Sequence, residues 1–177
     1  AAVSADGSTF IAGDIWNGAI HVSTDSGMTW TQHMAATGRT WSAVATSADG
    51  KKLFAALKNG PIYVSTDRGA TWTPRGEVRN WIRLATSADG TKLLAAEENG
   101  RLYVSTDSGT TWSARDSNRN WAGVTVSGDG TRFAAVVHGG LAYVNGGTGN
   151  LVARPSSLVE LTYTGSGRFF VSNVQGR

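Results

Sequence analysis

The chain has 177 residues, a formal net charge of +3 at pH 7, charged side chains at 16% of positions and 0 cysteines. That length allows a sizeable core. The mild charge argues against nucleic acid, whose binders concentrate Lys and Arg on one stripe, and no apolar run is long enough to insert as a membrane span. Without cysteine, neither disulfides nor Cys-ligated metal can staple the fold. Helical periodicity is nowhere sustained, and 23 glycines cut the chain into short segments, the pattern of all-β structure.

In chain order, residues 1–4 read as the tail of a strand, and Asp6-Gly7 as a hairpin turn. The next signal is the octet Ser23-Thr24-Asp25-Ser26-Gly27-Met28-Thr29-Trp30, which returns as Ser65-Thr66-Asp67-Arg68-Gly69-Ala70-Thr71-Trp72 and as Ser105-Thr106-Asp107-Ser108-Gly109-Thr110-Thr111-Trp112. Its Asp and Trp recur at intervals of 42 and 40 residues, the period of a four-stranded propeller blade. Each octet fits a hairpin turn: the Asp carboxylate accepts backbone N–H groups, the Gly supplies a positive φ, and the Trp covers the turn as the next strand begins.

The second repeat predicts an innermost strand over residues 41–47, a second over 53–57, a third over 61–65 and an outer strand over 71–75. Two turn series keep the same period. Asp-Gly recurs at Asp6-Gly7, Asp49-Gly50, Asp89-Gly90 and Asp129-Gly130; Asn-Gly recurs at Asn17-Gly18, Asn59-Gly60 and Asn99-Gly100, with His138-Gly139-Gly140 in the fourth place. Both are strong hairpin signals between apolar runs. The fourth octet decays to Asn145-Gly146-Gly147-Thr148-Gly149-Asn150-Leu151-Val152, without Asp or Trp. The expected organisation is therefore one all-β propeller domain over 1–177. Its blades span about 1–36, 41–76, 81–116 and 121–155, with a partial, two-stranded fifth over 158–174. No closure of the ring is evident. Residues 168–174, with two Phe and two Val and little charge, predict an unpaired edge that is completed by a second copy or by missing blades. The opening residues carry no signal peptide and read as a mature or truncated segment.

The pattern Ser/Thr-x-Asp-x-Gly-x-Thr-Trp resembles the Asp-box, or BNR repeat, of sialidase-like β-propellers, and all three octets match it at every defining position. The resemblance implies that Asp25, Gly27, Trp30, Asp67, Gly69, Trp72, Asp107, Gly109 and Trp112 are structural, on the side of the blade away from the ligand face. Many Asp-box proteins are secreted, and a Ser/Thr/Gly-rich chain with few charges suits an extracytoplasmic or secreted location.

Propeller connectivity puts the Asp-Gly turns and the octets on one face. The opposite face, where propellers place ligands, receives the Asn-Gly turns and the crossovers between blades. There a triplet repeats as Arg39-Thr40-Trp41, Arg79-Asn80-Trp81 and Arg119-Asn120-Trp121. Arginine beside an aromatic suits a glycan or an acidic protein group, by stacking or by bidentate hydrogen bonds. The competing expectation is structural: each Trp wedges between blades while its Arg snorkels over it. Trp16, on the tip of an Asn-Gly turn, is a further ligand-binding candidate, or packs on a neighbouring loop.

The resemblance also brings sialidases to mind as an alternative, which combine the boxes with an arginine triad, a Tyr–Glu couple, an acid/base Asp and an early Arg-Ile-Pro. The chain has no Arg-Ile-Pro; its one Arg-Pro is Arg154-Pro155. Outside the turns, Asp14, Glu77, Glu97, Glu98, Asp116 and Glu160 have no spacing that singles out a glycosidase pair. His21, His33 and His138 form no metal motif, and His21 takes the strand position of Tyr63, Tyr103 and Tyr143. The expectation is a binding module with no catalytic residues, metal or cofactor, whose partner is a glycan or protein. The alternatives are a self-associating assembly segment and a fragment of a sialidase-like glycosidase.

Overall fold

A computed structural model describes residues 1–14, 18–34, 39–140, 142–146, 150–154, 160–163 and 169–172. Its elements are all strands, arranged as antiparallel sheets that follow chain order. The first blade comprises β1 (Ala2–Val3), β2 (Phe10–Gly13), β3 (Ile20–Ser23) and β4 (Thr31–His33). The second comprises β5 (Trp41–Thr46), β6 (Leu53–Leu57), β7 (Gly60–Ser65) and β8 (Thr73–Arg79); the third, β9 (Trp81–Thr86), β10 (Leu93–Glu97), β11 (Leu102–Ser105) and β12 (Ser113–Arg115). The fourth holds β13 (Trp121–Val126), β14 (Phe133–Val137), β15 (Ala142–Gly146) and β16 (Asn150–Arg154), and a two-stranded sheet follows with β17 (Glu160–Tyr163) and β18 (Phe169–Ser172). This is a β-propeller of four-stranded blades with a partial fifth. Of the edge predicted over 168–174, residues 168, 173 and 174 lie outside the described residues, and the rest form β18, paired to β17.

Two-residue alternation in the second strand of each blade builds the core, because successive side chains point to opposite sheet faces. Leu53 and Ala55 pack toward the first blade with Ile11, Ile20, Val22 and Trp41. Phe54 and Ala56, one residue out of phase, pack toward the third blade with Ile62, Trp81, Leu93 and Tyr103. Leu94 and Ala96 then meet Trp121, Ala135 and Tyr143 of the fourth blade. Trp41, Trp81 and Trp121 are therefore the wedges between successive blades, at 3%, 1% and 0% exposure.

The turn chemistry is the same in the three intact octets. Ser65 Oγ donates to Asp67 Oδ1 (2.7 Å) and accepts from Gly69 N–H (2.8 Å). Thr71 donates its N–H to Asp67 Oδ1 (2.9 Å) and its hydroxyl to Oδ2 (2.6 Å), and the Trp72 indole donates to Gly69 O (2.9 Å). The same bonds recur around Ser23 and Asp25 and around Ser105 and Asp107. Each glycine has the positive φ expected of it. So does the residue before it, with Ser26, Arg68 and Ser108 at φ 61°, 59° and 57°.

The Asp-Gly turns use a second serine motif, in which Ser47 Oγ donates to Asp49 Oδ1 (2.6 Å) and accepts from Lys52 N–H (3.0 Å). These turns also tie blade to blade through the backbone. Ala5 N–H donates to Ala48 O (2.9 Å), Ala48 N–H to Ala88 O (2.7 Å), and Ala88 N–H to Gly128 O (2.9 Å).

Candidate functional site

The three Arg-x-Trp triplets occupy equivalent positions at the start of β5, β9 and β13, and each organises a stack. The guanidinium of Arg39 lies 5.6 Å from the Tyr63 ring centre, that of Arg79 4.3 Å from Tyr103, and that of Arg119 4.6 Å from Tyr143. Each tyrosine in turn packs edge-to-face with its tryptophan, with ring centres 5.6, 5.3 and 5.5 Å apart. The tyrosines were not among the expected site residues, yet each stands 24 positions after its arginine. That constant spacing was the available signal. The arginines are half-buried and the tryptophans are buried. Trp16 lies outside the described residues.

The three guanidiniums are differently engaged. Arg39 Nη1 donates to Met34 O (3.3 Å). Arg79 pairs with Glu77 and, at 3.6 Å, with Glu97, while Arg119 pairs with Asp116 at 3.4 Å. Tyr103 donates its hydroxyl to Glu97 Oε2 (3.2 Å). Burial, and secondarily the charge of Glu97, raises the Tyr103 phenol above its ordinary value.

Beside the middle stack a cleft of about 210 Å³ opens between the second and third blades. Gly76, Glu77 and Arg79 of β8 form one wall, and Trp81, Tyr103, Thr110 and Trp112 the other. It lies where β8 leaves β7 after the pair Ile62–Arg75 and rejoins it at Gly60–Arg79. The indoles of Trp41 and Trp121 donate to Gly18 O and Gly100 O, each at 2.9 Å. The buried Trp81 Nε1–H has no acceptor among the described residues.

The octet carboxylates stand on the other face. Asp25, Asp67 and Asp107 are held at about 2, below the usual 3.8, chiefly by the hydroxyl and N–H of the Thr four residues later, with help from the preceding Ser. Among the described residues, no group of three or more His, Cys, Asp or Glu is placed to hold a metal, and no helix is long and apolar enough to cross a membrane.

Blade count, sheet order and interblade wedges define a β-propeller domain. The chain belongs to the DUF6242 β-propeller domain family, whose model matches residues 1–126. No curated protein matches the sequence. Among solved structures it is similar to YCF48 bound to D1 peptide, at 15% identity and TM-score 0.66, over 90% of this chain and 55% of that one. It is also similar to the GH74 enzyme of Niastella koreensis, at 23% identity and TM-score 0.68, over 87% of this chain and 24% of that one. The β-propeller domain of Myceliophteria thermophila Cps50 (Swd1) matches at 12% identity and TM-score 0.72, over 94% of this chain and 58% of that one. At these identities the likeness is one of fold, and the chain spans between a quarter and about three fifths of the lengths it matches.

Proposed function

We propose that this chain is a non-catalytic binding module of the Asp-box type, which presents its row of arginines to a glycan or protein ligand. The observation that carries the reading is the threefold Arg–Tyr–Trp stack. A guanidinium held over a tyrosine ring is already positioned for a partner, so less conformational entropy is lost on binding. The repetition of the stack at successive blade entrances suits an extended ligand that meets several blades at once. The octets belong to the scaffold: their carboxylates are saturated by hydroxyl and amide donors, which leaves them unsuited to proton transfer. The chemistry available at the stacks is recognition: Glu77, Glu97 and Asp116 neutralise Arg79 and Arg119, and the exposed Glu77 keeps acceptor capacity. An extracytoplasmic location fits this reading and remains part of the proposal.

YCF48 bound to a D1 peptide, and the nidogen/laminin complex, are examples of similar folds in protein recognition. The test is a combined glycan and peptide array probed with the wild-type chain and with Arg39→Ala and Arg119→Ala. Expected is a ligand whose signal falls in both variants, with unchanged circular dichroism. Turnover of fluorogenic glycosides by the purified chain, lost on Glu77→Gln or Glu97→Gln, would replace this reading with a glycosidase.

A further inference from the structure

The position four residues after each octet tryptophan has a left-handed backbone in three blades, at Met34 (φ 53°), Gly76 (φ 72°) and Asp116 (φ 58°). Its side chain decides what fills the adjoining interface. Met34 packs against the buried cluster between the first and second blades. Asp116 holds Arg119. Gly76 has no side chain, and a Cβ placed there would stand 2.9 Å from Trp112 Cδ1. The missing side chain leaves room for the Trp112 indole, and the cleft opens beside it. The same interface contains the one wedge tryptophan of the three whose N–H lacks an acceptor among the described residues.

We infer that this cleft is a binding subsite for one neutral sugar ring, with Trp112 and Tyr103 as its apolar walls, Trp81 Nε1–H as a donor and the Glu77 carboxylate as an acceptor. The inference rests on the binding-module reading and assigns it a ligand class. Three features favour a sugar. About 210 Å³ admits a single six-membered ring with its substituents. A pyranose has apolar C–H faces for the aromatic walls and hydroxyls that both donate and accept. Finally, Arg79, the cation on the cleft wall, is already offset by Glu77 and Glu97, so it offers a phosphate, sulfate or carboxylate ligand little net charge; Arg75, which donates to Thr110 Oγ1 (3.0 Å), is a further cation beside the cleft. An apolar peptide side chain would fill the space but gain nothing from the Trp81 donor, which in the free chain is already buried and without an acceptor among the described residues.

Indole N–H resonances of the ¹⁵N-labelled chain, titrated with neutral oligosaccharides of glucose, xylose, mannose and galactose, test this directly. Expected is a saturable shift of the Trp81 indole with at least one sugar series, while the Trp41 and Trp121 indoles stay in place. Gly76→Met, which copies the first interface, should abolish the shift. Glu77→Gln, at a side chain that is 77% exposed, should weaken it about tenfold by removing a charged acceptor; it also serves if the Met variant fails to fold. No Trp81 shift at millimolar sugar, or a shift with only heparin fragments or a proline-rich peptide, overturns the assignment. A ligand lost in Arg39→Ala and Arg119→Ala but kept in Gly76→Met would leave the binding module standing and remove the cleft from it. Absence of any ligand would sink both.

Discussion

The buried Ser65 Oγ serves as donor to Asp67 and acceptor from Gly69 at the base of a largely exposed turn. Ser65→Ala leaves the Gly69 N–H without its partner, and is expected to cost about 1–3 kcal/mol in a urea titration. The wedge tryptophans allow a sharper comparison. Trp121→Phe removes a hydrogen bond to Gly100 O, whereas Trp81→Phe removes a donor that has no partner among the described residues. With similar ring volume lost in both, Trp121→Phe should be the more destabilising by about 1 kcal/mol. Equal losses would mean that Trp81 has an acceptor after all. The octet serines and aspartates were readable as turn residues from their recurrence alone. The serine two places before each Asp-Gly turn was equally regular, at Ser4, Ser47, Ser87 and Ser127, but its Oγ contacts needed coordinates.

At the scale of elements, the repeat and its flanking turns at Asp49-Gly50 and Asn59-Gly60 predicted β6 with its observed ends. The outer strand was expected over 71–75, and forms instead over Thr73–Arg79. Thr71 and Trp72 are held in the turn by Asp67 and Gly69, and a left-handed Gly76 lets the strand bulge and resume. The cleft was not legible for the same reason. It depends on a bulge in one blade facing an octet tryptophan of the next, a long-range coincidence that no local pattern encodes. The Arg-x-Trp triplets were legible as a repeated motif, while burial of their tryptophans followed from blade-to-blade packing. Turn glycines separate local from interblade constraint. Gly7 and Gly50 share a positive φ, but a Cβ on Gly7 meets nothing within 4 Å, and one on Gly50 would stand 2.4 Å from Thr9 Oγ1 of the first blade. Gly7→Ala should therefore cost about 1–2 kcal/mol of backbone strain alone. Gly50→Ala should cost measurably more, because Thr9 is fully buried and cannot retreat. Equal midpoints in denaturant would show that the blades yield at this contact.

Across the whole molecule, acid lability follows from the turn carboxylates. Asp6, Asp25, Asp67, Asp89, Asp107 and Asp129 are each lowered from 3.8 to about 2 by hydroxyl and amide donors. A folded value below the unfolded one means that stability is fully present above the unfolded value and is lost as pH falls through the folded one. Urea midpoints should thus be level near neutrality and decline between about pH 4 and pH 2, and a level profile down to pH 2 would contradict the bonding described. The backbone links between blades carry a different consequence. Ala5, Ala48 and Ala88 each give their N–H to the next blade's turn, so these three amides exchange with deuterium when neighbouring blades part, whereas amides between β6 and β7 wait for a blade to come apart. A stacked array of near-identical units opens one interface at a time when its contacts are nearest-neighbour only. The three linking amides should then exchange at distinct rates, each faster than the strand amides of its own blade. A single shared rate would instead mean that the blades separate together, as one cooperative body.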